Sequence, residues 1–169
     1  MSTTHCTIES QLGELTLVAQ NDTVTGVYFP KHWHLPAHTD FGPLVNHAQD
    51  ALFSRTAAQL HEFLDGTRTA FDLPTTLGGT PLQRRVWDLL TEIPYGETVT
   101  YGELAATLGA TTAWEVGQIV GRNPLSIIVP CHRVVGKDGK LTGYAGGLAR
   151  KRLLLEREES SASRLSTLF

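Results

Sequence analysis

The chain has 169 residues and a formal charge of −3, from 14 Lys+Arg against 17 Asp+Glu. Hydrophobic residues at 41% and charged residues at 18% suit a folded globular protein and exclude wholesale disorder. No stretch approaches the roughly 18 apolar residues of a membrane span, and Met1-Ser2-Thr3-Thr4-His5-Cys6 lacks a signal-peptide pattern, so a cytoplasmic protein with no membrane partner is expected.

Residues 1–30 read as a β-meander of three β-prone runs, Thr7–Glu9, Glu14–Ala19 and Val24–Phe29, separated by turn-like Gln11-Leu12-Gly13 and Asn21-Asp22-Thr23. Residues 30–43, rich in Pro, His and Gly, read as a loop. Leu52, Leu60, Phe63 and Leu64 then repeat at helical spacing, predicting a helix over 45–65 with Gly66 as its stop. Thr75-Thr76-Leu77-Gly78-Gly79 reads as a linker. The charge changes there: residues 1–75 carry 3 basic and 8 acidic side chains, whereas 116–157 carry 8 basic and 2 acidic. Such a stretch either attracts phosphates or forms a solvated face. Domains are therefore expected at 1–75 and 80–169, joined by 76–79.

The second domain begins with clear punctuation. Thr80-Pro81-Leu82-Gln83 is a capping box with Pro at the first helical position, and Leu82, Val86, Leu89, Leu90 and Ile93 share a face up to Pro94. Thr100-Tyr101-Gly102-Glu103 and Thr112-Ala113-Trp114-Glu115 read as two further boxes. They open short helices joined by Ala110-Thr111, with the dimensions of a helix-turn-helix. Ile127-Ile128-Val129 reads as a short buried strand ended by Pro130. A Gly-rich segment, Gly136 to Gly147, leads into a helix from Leu148 to about Glu159, and 160–169 reads as a polar tail.

Two cysteines are too few for a disulfide framework or a four-thiolate zinc site. Cys6 has no neighbouring base and reads as a structural thiol. His32, His34 and His38 make a small cluster, read as a polar loop in preference to a metal site. Pro130-Cys131-His132-Arg133-Val134 places a thiol beside an imidazole that can take its proton. Glu158 lies four residues after Leu154 and three after Leu155, on the face those leucines bury. A buried carboxylate needs a partner, so a Cys131–His132–Glu158 relay is one reading, and a buried thiol with a solvated glutamate is the other.

These residues resemble the active-site signature of the O6-alkylguanine-DNA alkyltransferases. The similarity extends through Arg122-Asn123-Pro124, Gly143-Tyr144-Ala145-Gly146-Gly147-Leu148, Val86-Trp87, Ile93-Pro94-Tyr95-Gly96-Glu97-Thr98 and Tyr101, covering roughly 80–159. The resemblance implies an N-terminal α/β domain with a ribonuclease-H-like sheet and a mainly helical, winged helix-turn-helix C-terminal domain. It implies stoichiometric, irreversible transfer of an alkyl group from guanine O6 in double-stranded DNA to Cys131, with the base flipped out and the protein bound in the minor groove. Acceptance of O4-alkylthymine stays open. His132 is implied to deprotonate Cys131 through a bridging water, supported by Glu158. Asn123 is implied to hold the Cys segment, Tyr101 to donate to the leaving guanine, Tyr144 to line the pocket, and the Val134 and Ala145 backbone to contact the base. No cofactor or metal is expected, and a monomer is. DNA contacts are expected from Thr112, Ala113, Trp114, Glu115, Gly117, Arg122 and Arg133.

One departure concerns the DNA-facing helix. Members of the family carry an arginine where Trp114 stands, and a small residue where Glu115 stands. Trp114 then either wedges into the base stack or marks weakened DNA binding and a small-molecule substrate. A cysteine hydrolase and a damage-binding or regulatory helix-turn-helix protein are further alternatives from the residues alone.

Overall fold

In the computed structural model, residues 2–109 and 111–167 are described, the side chains of His38 and of 160–167 excepted. They form two compact units, Met1–Leu77 with Pro124–Ile128, and Gly78–Asn123 with Val129–Phe169. Among the described residues no helix is long and apolar enough to cross a membrane.

The first unit is built on an antiparallel sheet in the order β1 (Thr3–Ile8), β2 (Leu15–Gln20), β3 (Thr23–Tyr28). Asn21 and Asp22 adopt φ of 52° and 63°. Both side chains tolerate this left-handed region, so two residues suffice to reverse the chain between β2 and β3. The first strand is longer than the sequence suggests. It pairs out to Thr3↔Gln20 because β2 offers a complete partner edge.

The helix of this unit, α1, spans Ala51–Asp65 rather than starting near 45. Asp50 is the reason: its side chain accepts from the Phe53 amide at 3.0 Å and caps the helix there. Gly66, at φ 88°, ends it as expected. Leu15, Leu17 and Val24 from the sheet and Phe53, Leu60 and Phe63 from α1 are buried. Thr75 and Thr76, read as linker, are tied to β3: Val24 donates to the Pro74 carbonyl at 2.8 Å, and Thr76 to that of Val24 at 3.1 Å.

The second unit holds α2 (Pro81–Thr91), α3 (Tyr101–Leu108), α4 (Ala113–Val120) and α5 (Leu148–Thr167), with β4 (Val99–Thr100) parallel to β5 (Val134–Val135). The capping box at α2 is complete in both directions. At α3 and α4 the threonine accepts from the third-residue amide, but the reciprocal carboxylate bond is not formed. At α4 the Glu115 carboxylate instead faces the Thr112 hydroxyl at 3.5 Å. The Trp87 indole donates to the Ile119 carbonyl at 3.1 Å, tying α2 to α4. Ala110, in the expected turn between α3 and α4, lies outside the described residues.

Two expectations are corrected. Ile127–Val129 is not a strand: the backbone turns there, with Ile128 donating to Ser126 at 2.8 Å and Ile127 at φ 73°. The apolar run reported burial, which holds, but not backbone shape. The last helix does not stop near Glu159 either. No Gly or Pro interrupts 160–167, and α5 runs to Thr167; residues 168–169 lie outside the described residues.

Candidate active site

Cys131 opens a single 3-10 turn, Cys131–Arg133, directly after Pro130. Asn123, 1% exposed, reaches across from the end of α4 and donates to the Val129 carbonyl at 2.9 Å. The Cys131 amide donates to the same carbonyl at 2.8 Å. One acceptor thus gathers the asparagine and the cysteine backbone. A buried amide side chain must satisfy its donors, and here that requirement fixes the segment before the thiol.

His132 and Glu158 come together as the helical spacing predicts. Nε2 of His132 lies 2.5 Å from Oε2 of Glu158, with both side chains buried. The other carboxylate oxygen, Oε1, accepts from Arg133 Nε at 2.8 Å and from the Gly96 amide at 3.1 Å. Arg133 also donates to the Ile93 carbonyl at 2.7 Å and lies over the Tyr95 ring. Arg133 was expected to meet DNA. Its guanidinium is buried against Glu158, with the side chain 8% exposed.

Electrostatics follow from this packing. Burial alone would raise the Glu158 carboxyl, but the bonds and charges of His132 and Arg133 hold it below its ordinary value. Burial lowers His132, and the charges of Arg133 and Lys151 add to that, against the pull of Glu158. The imidazole is therefore neutral near pH 7. With Nε2–H donating to Glu158, the lone pair resides on Nδ1, which is the basic nitrogen.

Around the thiol the structure gathers Asn123, Tyr144 and Lys151. Burial pushes Cys131 up, while the Asn123 side chain, the Lys151 charge, a backbone bond and the Tyr144 hydroxyl pull it back. Lys151 was missed by sequence reasoning. It is 0% exposed, its ammonium donates to the carbonyls of Thr142 and Gly143 at 3.2 and 3.1 Å, and it lies over the Tyr101 ring. Burial lowers it to about 8. One signal was available: Lys151, Leu154 and Glu158 repeat at i, i+3 and i+7, a single face of α5. Tyr101 donates from its hydroxyl to the Thr142 carbonyl at 3.1 Å. Val134, Tyr144 and Ala145 are buried beside these groups in sequence, at 0%, 3% and 4% exposure.

The remaining predicted residues lie along α4 and just beyond it. Thr112, Ala113, Trp114 and Glu115 are exposed, Gly117 is half-buried, and Arg122 is exposed just beyond the helix. Elsewhere, Cys6 is a core residue of β1. His32 is buried too: its ring accepts from the Phe29 amide at 3.3 Å and packs on Tyr28 and Phe29. Among the described residues no group of three metal-ligating side chains is assembled.

Residues 81–160 match the family model described as the DNA-binding domain of 6-O-methylguanine DNA methyltransferase. The methylated-DNA–protein-cysteine methyltransferase of Mycobacterium tuberculosis is 45% identical over 164 residues, 96% of each chain. The constitutive enzyme of that name from Bacillus subtilis is 40% identical, covering 84% of this chain and 86% of its own. A crystal structure of Mycobacterium tuberculosis OGT in complex with DNA superposes with a TM-score of 0.82, at 43% identity and 93% coverage of both chains. The similarity runs along nearly the whole length of the chain, and the chain belongs to the methylated-DNA–protein-cysteine methyltransferases.

Proposed function

We infer that this protein repairs O6-alkylguanine in DNA by moving the alkyl group irreversibly onto Cys131. The observation that carries the reading is the buried imidazole of His132, next in sequence to the Cys131 thiol and fixed by Glu158, with Asn123 holding the segment before the thiol through the Val129 carbonyl. His132 takes the thiol proton at Nδ1 across a bridging water, and Glu158 keeps the tautomer and ring orientation. The thiolate attacks the alkyl carbon. The C–S bond forms, the C–O6 bond breaks, and its electron pair passes to the guanine, which recovers the proton as the ordinary lactam. Tyr101 donates to the departing base, Tyr144 lines the pocket, and the backbone of Val134 and Ala145 holds the base edge.

Cys131 is 3% exposed, so a base within a duplex must leave the stack to reach it. We read α3 and α4 as a winged helix-turn-helix, with α4 entering the minor groove through Thr112, Ala113, Trp114, Glu115 and Gly117, and Arg122 meeting a phosphate. The first unit, a three-stranded antiparallel sheet with one helix, is read as the ribonuclease-H-like part. The domain boundary is placed at 76–79. A thioether does not hydrolyse, so each molecule acts once. The test is transfer of label from a duplex holding a methyl-labelled O6-methylguanine. Protein-bound label saturating at one per molecule supports the reading, and continuing release of methanol with unlabelled protein overturns it.

A further inference from the structure

Arg133 brings a permanent positive charge into the interior of the second unit. The backbone on either side of it is fixed. Its amide donates to the Pro130 carbonyl at 3.0 Å, closing the turn that opens at Cys131. Directly after it, Val134 and Val135 pair with Val99 and Thr100. The guanidinium is fixed as well. Nε donates to Oε1 of Glu158 at 2.8 Å, a second nitrogen donates to the Ile93 carbonyl at 2.7 Å, and the central carbon lies 5.6 Å from the centre of the Tyr95 ring.

A buried ion pair is a weak source of stability, because desolvation offsets most of the attraction. What this one supplies is direction. Arg133 and the Gly96 amide hold one oxygen of Glu158, which leaves the other for Nε2 of His132. A carboxylate gripped at both oxygens does not turn, and the imidazole bonded to it keeps Nδ1 on one heading. Charge acts in the same sense. Burial aside, three charged groups bear on His132: Glu158 favours its protonation, and Arg133 and Lys151 oppose it. Without Arg133 the carboxylate draws a second proton onto the ring. An imidazolium has no lone pair with which to take the thiol proton.

We propose that Arg133 is a positioning residue for the reaction at Cys131, acting through Glu158 to hold His132 oriented and neutral. The proposal rests on the repair reading above and gives an interior task to a side chain expected to meet DNA.

The test follows single-turnover alkylation of Cys131 against pH in the full chain, with free O6-benzylguanine and with a duplex containing O6-methylguanine. Arg133→Met should move the acid limb of the profile to higher pH with both substrates. The loss on that limb is about tenfold for each unit by which the imidazole rises. Arg133→Lys keeps the charge but not the planar fork, so it should return the limb to its place and leave a lower plateau. Arg133→Met combined with Glu158→Gln removes cation and anion together, an exchange that buried pairs tolerate. Its limb should fall back to the parent's position or below, again with a lower plateau. Nitrogen NMR of His132 reads the same titration without substrate, and urea melts identify the variants that fold. A limb unmoved in Arg133→Met, in rate and in the His132 signal alike, would overturn the proposal. So would a loss confined to the duplex and dependent on salt, the mark of a phosphate contact. If Arg133→Met does not fold, Arg133→Lys decides, and a plateau equal to the parent's overturns the positioning role. If the unaltered protein gains no alkyl group from either substrate, the repair reading falls first, and the His132 titration alone then decides whether Arg133 governs the imidazole.

Discussion

Cys6 and Cys131 are the same residue at nearly the same depth, 0% and 3% exposed, in two different settings. Cys6 lies in β1 opposite Leu17. Burial and the nearby Asp50 charge push its thiol up to about 12. Cys131 suffers the same burial, but Asn123, Lys151, a backbone bond and Tyr144 oppose it. Depth alone makes a cysteine inert. On the proposed reading, what makes one a nucleophile is the set of donors and cations buried with it, together with a base next in sequence.

The largest test of this contrast is to remove each thiol in turn. Cys131→Ala should abolish alkyl transfer, read by intact mass, with the fold retained. Cys6→Ala should leave transfer intact and cost about 1 kcal/mol of stability in urea unfolding, the scale for deleting one buried heavy atom. Transfer surviving the first change, or lost in the second with the fold intact, would break the comparison.

Next in size is the carboxylate behind the base. Glu158→Gln keeps the shape but leaves buried Arg133 and His132 without their anion. Breaking a buried ion pair from one side costs about 3–5 kcal/mol, and losing the support of a general base slows transfer about tenfold or more. Urea melts and single-turnover rates taken below the melting range separate the two effects. A variant that matches the parent in both would make Glu158 a bystander.

Lys151 sharpens the contrast through pH. Its charge lowers the Cys131 thiol, so Lys151→Met should shift the rate profile to higher pH and slow transfer near pH 7. The loss is about tenfold for each unit by which the thiol rises. Lys151 itself titrates at about 8, so above that pH the parent also loses the cation and the two profiles should converge. Parallel profiles across the whole range would show that Lys151 acts only by packing.

The smallest effect lies in the first unit. Burial, with the His34 charge beside it, lowers His32 to about 4. The unfolded chain binds that proton below about pH 6.5 and the folded chain does not, so stability falls as pH drops from 6.5 toward 4. His32→Gln should flatten this part of a Tm-against-pH curve. An unaltered slope would place the acid sensitivity elsewhere.

Much of the site was legible in the sequence. Pro130-Cys131-His132 marked a thiol and an imidazole that the fold buries together, and the spacing of Leu154 and Glu158 placed the carboxylate on the buried face of α5. Arg133 and Lys151 were not legible as buried groups, because a cation in sequence reads as solvated unless its acceptors are known. Those acceptors, Glu158 and the carbonyls of Ile93, Thr142 and Gly143, converge only on folding. In the fold, the helix end written as Gly66 was located by its capping chemistry, whereas the cap at Asp50 was passed over and the helix start set near 45. The turn at Ile127 could not, since an apolar run specifies burial and leaves φ and ψ open. The length of α5 was missed for a related reason: polar composition argues against packing, yet nothing in 160–167 terminates a helix.

The most direct test of the central claim is peptide mass mapping after the full chain has met an excess of duplex containing O6-methylguanine. One methyl group on Cys131, none on Cys6, and no further gain on adding more substrate is the result this structure predicts. A methyl group on Cys6, or repaired DNA with both cysteines unmodified, would contradict it.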